Sequence, residues 1–272
     1  MKNLIVISSI AFFLVTSCKK AESHPLIEKE FYDIDSVNIT DTMKITDSLS
    51  LVYSSKQLYF PFIQNTNLLN NIYFRYKDSA HSSKTELKIS VEKDMLKQYD
   101  QLNKLYKTKG FGGLWVYKNE MQVKFLLHQY MHIQYVDTHN EGDKIKQCSY
   151  KDKMFDLKNN KEMTLTDITC LSRDQLLVLL KKNMYKIFFN ITGNIRINEF
   201  DERIFKMNGL REIPNTDNFY FDTKGLYFHY NPYEILSSSS VDFVIPIFWE
   251  ELEGCLNPEF KQRMNIHKDD GY

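Results

Sequence analysis

Three histidines, His128, His132 and His139, lie close together in the chain and raise the question of a metal. On a helix, His128 and His132 would sit one turn apart and share a zinc ion, but this HxxxH lacks the adjacent glutamate of the zinc proteases. The surrounding alternation favours a strand, which sets them about 13 Å apart at about 3.3 Å per residue, too far for one ion. A polar sheet face is the expectation, with no metal. Hydrolase chemistry would need paired carboxylates, and Glu250, Glu251 and Glu253 or Asp201 and Glu202 supply them. None is framed by apolar neighbours that would raise a pKa, so these read as solvated charges. The FGG at 111–113 lacks the later glycine of a nucleotide loop, no GxSxG occurs, and no cofactor motif is present. Tyr227, His229, Tyr233 and Trp249 form a candidate aromatic recognition patch, against the alternative that strand aromatics at this spacing fill a core.

Cys18 carries a different chemistry. It follows a short basic start and an apolar run, LIVISSIAFFLV, too short for a permanent span, and the residues LVTSC resemble the lipobox of bacterial lipoproteins. There the thiol accepts diacylglycerol and becomes the first residue of the mature chain. Two or more acyl chains then hold a protein on the bilayer, each buried methylene contributing about 0.8 kcal/mol. Lys19 after the cysteine favours the outer membrane over inner-membrane retention. The other cysteines, Cys148, Cys170 and Cys255, are odd in number; Cys148 and Cys170 could meet across a hairpin, or all three could be buried free thiols.

With 35 basic and 35 acidic residues the net charge is +0, which argues against nucleic-acid binding. Tyr 17 and Phe 19 against Gly 9 and Pro 6 suit half-buried strands and recognition surfaces. Elements that would position the candidates follow from periodicity. Residues 19–55 are polar and read as a tether, 57–63 and 68–76 as strands, and 91–107 as an amphipathic helix ended by Gly110. Alternation from Leu114, a turn at Lys118, Asn119 and Glu120, and a sheet continuing to about Val136 follow. Residues 151–169 read as two short strands around Asn159 and Asn160. Ser172 and Gln175 form a capping box opening a second helix with Leu176, Leu179, Leu180, Met184, Ile187 and Phe188 on one stripe and Gly193 beyond its end. Strands at 219–221, 226–230 and 241–248 close the series. The fold class is therefore α+β, with antiparallel sheets, two principal helices and two lobes.

Three segments, MFDLKNNKEMTLTDI at 154–168, the helix from Ser172, and FYFDTKGLYFHYNPYEI at 219–235 followed by VDFVIPIFWEEL at 241–252, resemble the RsiV-like domain of unknown function. That domain occurs in bacterial envelope proteins, among them an anti-sigma factor that senses lysozyme and peptidoglycan deacetylases that carry it beside a separate catalytic domain. Asn231 and Pro232 should stop the strand, letting Tyr233 and Ile235 drop onto the core while Glu234 faces out or caps a neighbour. The chain departs from the family pattern at VDTHNEGDK, 136–144, and LSSSS, 236–240, both expected loops.

The division expected is a signal peptide at 1–17, a lipidated tether at 18–55, an N-terminal lobe at 56–168, an RsiV-like lobe at 169–262 and a tail at 263–272. The resemblance implies a non-catalytic, lipid-anchored module that binds peptidoglycan or a wall-degrading enzyme such as lysozyme. An envelope hydrolase or deacetylase, and a structural lipoprotein of an outer-membrane complex, are the competing expectations.

Overall fold

Ser83 and Glu86 cap one another at the start of the longest helix. The Ser83 hydroxyl accepts from the Glu86 N–H and the Glu86 carboxylate from the Ser83 N–H, both at 3.2 Å, satisfying amides that a helix start leaves orphaned. The computed structural model describes residues 33–76, 81–142, 147–192, 216–235 and 242–266. In it this helix, α2, spans Lys84–Lys109 and stops at Gly110, whose φ of 60° favours glycine. It begins earlier than periodicity alone indicates because the capping box, not the apolar stripe, sets its start.

The first sheet has six strands in the order β1 to β6: Asp35–Thr46, Leu49–Tyr59, Gly113–Leu127, Tyr130–Glu141, Gln147–Asp156 and Lys161–Glu162. Its neighbours are antiparallel except β2 and β3, which run parallel. A parallel pair needs a long crossover, and here α1, Thr66–Ile72, and α2 supply it. Tyr53, Ile133, Tyr135 and Phe155 of the sheet pack with Leu68, Ile72, Leu87 and Val91 of these helices to make the first core.

Several expectations are corrected. Residues 35–55 are not a tether but the β1–β2 hairpin and its run toward β3. Residues 68–76 are α1 followed by a 3-10 turn rather than a strand, with the Asn65 side chain accepting from the Leu68 N–H. No turn occurs at Lys118, Asn119 and Glu120, where β3 runs straight through. The reversal lies at His128 and Gln129, both with positive φ, as a two-residue hairpin requires. The expected loop at 136–144 is strand as far as Glu141.

The second lobe starts from the Ser172–Gln175 capping box, which forms as expected: the Ser172 N–H donates to the Gln175 side chain at 2.9 Å and the Gln175 N–H to the Ser172 hydroxyl at 3.3 Å. α3, Leu165–Ile168, precedes it, and α4 spans Arg173–Thr192. A three-stranded antiparallel sheet follows, β7 Phe219–Phe221, β8 Gly225–Tyr230 and β9 Phe243–Phe248. A Cβ at Gly225 would lie 2.5 Å from the Ile247 carbonyl oxygen, so only glycine fits there. Leu176, Leu180 and Met184 of α4 meet Leu226, Phe228, Tyr230, Ile245 and Ile247 in the second core, which also takes in Tyr130 and Met154. The mixed α+β architecture is thus two-lobed, each lobe having a sheet and a principal helix.

α5, Pro258–Arg263, closes the described chain. Residues 263–266 are not a loose tail: Arg263 Nη1 pairs with Asp156 at 2.8 Å and Met264 is buried. The expectations at Cys18, Gly193, Asp201, Glu202, Val241 and residues 236–240 fall outside the described residues, as does the Phe188 side chain. No described helix is long and apolar enough to cross a membrane.

Candidate functional site: a buried His–Asp–His relay and its aromatic column

β6 covers β5 only at Phe155 and Asp156, which leaves the edge of β5 open at its centre. Two asparagine side chains complete it. Asn218 accepts from the Asp152 N–H at 2.6 Å and donates to the carbonyls of Tyr150 and His229 at 3.0 and 2.7 Å. Asn231 accepts from the Tyr150 N–H at 2.5 Å and donates to the Tyr150 carbonyl at 3.1 Å. A primary amide carries the same donor and acceptor pair as a peptide, so each side chain stands in for a stretch of strand. This joint sews the small sheet to the large one and brings together residues far apart in sequence.

At the joint, Asp152 is fully buried between two histidines. Its Oδ1 lies 2.7 Å from His132 Nε2 and accepts from Gln134 Nε2 at 3.1 Å; its Oδ2 lies 2.5 Å from His229 Nδ1. His229 Nε2 then reaches Asp242 Oδ2 at 3.0 Å. His132 and His229 are only 2% and 3% exposed, whereas the Asp242 side chain is 37% exposed, so the chain of groups runs from interior to solvent.

Burial pushes the Asp152 carboxyl up, but the hydrogen bonds and charges of the two histidines outweigh it and hold the group well below the usual carboxylate range. Burial lowers His229, yet the hydrogen bonds from its ring to Asp152 and Asp242 leave it above its ordinary value. For His132 burial wins over its single bond to Asp152, and its pKa falls. His132 Nδ1 has no hydrogen-bond partner, which suits a lone pair on a neutral ring. The assignment is an anionic Asp152, a cationic His229 donating from both nitrogens, and a neutral His132.

Rings continue the arrangement outward. Phe125 meets His132 edge-on at 5.0 Å, His132 stacks on Tyr220 at 4.7 Å and 10°, and Tyr220 stacks on Tyr227 at 4.9 Å and 8°. Tyr150 stacks on His229 at 5.0 Å. Tyr220 and Tyr227 are half-buried, and burial pushes the Tyr220 phenol up to about 12.

Residues 174–250 match a family model described as a protein of unknown function, DUF3298. That stretch includes Tyr220, Tyr227, His229 and Asp242, while His132 and Asp152 precede it. Among solved structures, a member of the DUF3298 family from Bacteroides fragilis is 18% identical, with a TM-score of 0.67 over 85% of this chain and 96% of that one. A DUF3298 family protein from Pseudomonas aeruginosa is 12% identical, with a TM-score of 0.57 over 84% of this chain and 95% of that one. These likenesses show the fold. No curated protein matches the chain.

The residues singled out from sequence meet different fates. Tyr227 and His229 share one face of β8, but His229 is sealed in the relay rather than offered to a ligand. Trp249 belongs to the second core, packed on Phe221 and Phe260 with its Nε1 donating to the Asp222 carbonyl at 3.2 Å. Tyr233 has a φ of 64° and is 43% exposed, so it does not drop onto the core; Ile235 does, and Glu234 caps the Asn231 N–H at 2.6 Å. The four therefore do not form one patch. Trp249 instead lines a cleft of about 620 Å3 with Phe248, Glu250, Glu253, Lys224 and Lys261. Glu251 is spent on Lys182, Lys186 and Asn183, whose bonds outweigh burial and lower its pKa. Among the histidines, His128 lies in the β3–β4 turn and His139 packs edge-on against Tyr117. Among the described residues no group of three His, Cys, Asp or Glu could hold a metal. Sequence reasoning missed Asp152, Asp242, Tyr150 and Tyr220. The alternation FYFDTKGLYFHY does put Tyr220, Tyr227 and His229 on one face, a readable signal, but Asp152 within KDK has none.

Proposed function

We propose that the chain is a non-catalytic binding module of the bacterial cell envelope, RsiV-like in kind, anchored through lipid on Cys18 and facing the periplasm or the cell surface, with the outer membrane as its favoured site. Its ligand is peptidoglycan or a wall-degrading protein such as lysozyme. The observation that carries this reading is the Tyr220–Tyr227 column: two near-parallel, half-exposed rings fixed from behind by His132 and the relay. Rings already held in place lose little freedom on binding. Tyr220 has both faces covered, by His132 and Tyr227, so it is Tyr227, at the end of the column, that offers its ring to the C–H face of a sugar or an apolar side chain. The buried acid–base groups support the non-catalytic part, since each is engaged by another or shut away from substrate.

The test is a pull-down of the chain from residue 20 onward against isolated peptidoglycan and against lysozyme in moderate salt. Saturable binding to one of them is expected, weakened about tenfold or more by Tyr227→Ala, in the range of an interface hot spot. Binding to neither overturns the reading. Binding lost in Phe248→Ala but kept in Tyr227→Ala would move the recognition surface to the cleft beside Trp249.

A further inference from the structure

Thr169 and Leu256 form an isolated antiparallel bridge between the segment leading into α4 and the segment leading into α5. The bridge is held by the Cys170 N–H donating to the Cys255 carbonyl and the Asn257 N–H donating to the Ile168 carbonyl, both at 2.8 Å. The Thr169 hydroxyl donates to the same Cys255 carbonyl at 2.9 Å. In this register Cys170 and Cys255 are directly opposite each other. The pair makes one of the two backbone bonds of an antiparallel position, the Cys255 N–H going to the Leu252 carbonyl instead. Opposite residues in antiparallel strands have Cα atoms about 4.5–5.5 Å apart, within the window a disulfide spans. Burial, and then the neighbouring Cys170 thiol, raise the pKa of Cys255. Cys170 is exposed and Cys255 half-exposed, so an oxidant can reach the pair. Cys148 is elsewhere, on β5 opposite Thr138.

We propose that Cys170 and Cys255 are a disulfide site. The step exchanges bonds evenly: both thiols lose their protons, the Cys170 Sγ–Cys255 Sγ bond forms, and a disulfide oxidant takes up the two electrons and leaves as two thiols. The closed loop would enclose α4 and the whole of the small sheet, so the link ties the lobe carrying Tyr220, Tyr227 and His229 at its two ends. Loops this long gain most from closure, because cross-linking removes many conformations from the unfolded chain. That such an oxidant meets the protein in the cell rests on the envelope location proposed above, since disulfides persist in exported proteins.

The experiment uses the full chain with Cys18→Ser, purified folded, incubated with oxidised glutathione, then denatured, alkylated and mapped by peptide mass spectrometry. The expected product joins the peptides of Cys170 and Cys255 and leaves Cys148 alkylated. Oxidation should raise Tm by about 5–10 °C, and Cys255→Ser should abolish both the link and the rise while its reduced Tm stays near that of the parent. Persistent free thiols at 170 and 255, or a link through Cys148, overturn the proposal. The unmodified chain recovered from cells separates the two readings: free thiols at 170 and 255 in envelope membranes overturn the native disulfide, whereas recovery from the cytoplasm overturns the envelope reading and leaves the purified-chain result to decide the site.

Discussion

Two of the buried polar networks among the described residues are built on opposite principles. In the first lobe Ser55, Gln57 and Asn119, all at most 2% exposed, bond one another between the parallel strands β2 and β3. Ser55 Oγ donates to Asn119 Oδ1 at 2.6 Å, and Gln57 Nε2 reaches the same oxygen at 2.5 Å. Every member is neutral. The network at the joint has an anion, Asp152, between two histidines from different sheets. A neutral cluster costs little to desolvate and fixes the register of strands that are already neighbours. A charged cluster costs more to bury, and breaking it leaves an uncompensated charge, so its geometry is tightly specified.

Removing the centre of each network exposes that difference. Asp152→Ala removes the buried one of His229's two carboxylate partners, leaving only the half-exposed Asp242, and leaves Gln134 and His132 without their acceptor. A loss of about 3–5 kcal/mol in unfolding free energy is expected by urea denaturation. A loss under about 1 kcal/mol would show that the joint tolerates a vacant acceptor and that the two sheets hold together without it.

Asn119→Ala should cost less, about 1–3 kcal/mol, the range for leaving buried neutral donors unpaired. It takes the acceptor from the Ser55 hydroxyl and one of two acceptors from Gln57 Nε2, which keeps Ser55 Oγ at 3.0 Å, and it strands no charge. Calorimetry of the same pair of variants tests the ranking; an Asn119→Ala loss equal to that of Asp152→Ala would undo the contrast between neutral and charged burial.

How far each network could be read from sequence follows the same line. The second helix was legible because Ser172 and Gln175 cap it locally, and β7 and β8 because Phe219 and Phe221 alternate ahead of the Asp222–Gly225 turn. β1 was not legible: as an edge strand it is polar, with Val37 its one buried apolar residue, the composition that discourages edge pairing. Asn119 looked like a turn residue, and only its position opposite Ser55 in the parallel pair explains an asparagine inside a strand. α1 was ambiguous because a short run such as LLNNIYF fits either period. For the site, His229 was legible as a residue of interest but not as a buried cation. Its role is set by Asp152, distant in sequence and flanked by lysines that make it look solvated. Local chemistry is readable one element at a time, whereas a joint between sheets exists only once both have formed.

The smallest effect separates the networks most cleanly, since only one of them titrates near neutrality. His229 has a raised pKa, so its contribution is fully present below the unfolded value of about 6.5 and is lost as pH rises through the folded value. His132 has a lowered pKa, so the unfolded chain takes up its proton first and stability falls as pH drops below about 6.5. Asp152, lowered, gives stability that is present above the unfolded value of about 3.9 and is lost only in strong acid. The two histidines therefore pull in opposite directions, each with a slope of at most about 1.4 kcal/mol per pH unit. Relative to the unmodified chain, His229→Gln should flatten the alkaline side of a stability profile measured by denaturation at stepped pH. His132→Gln should flatten the side just below about 6.5, and Asn119→Ala should lower the whole profile without changing its shape. Equal slopes in all three variants would mean that the relay histidines do not set the pH response, and that burial at the joint leaves both with ordinary titration.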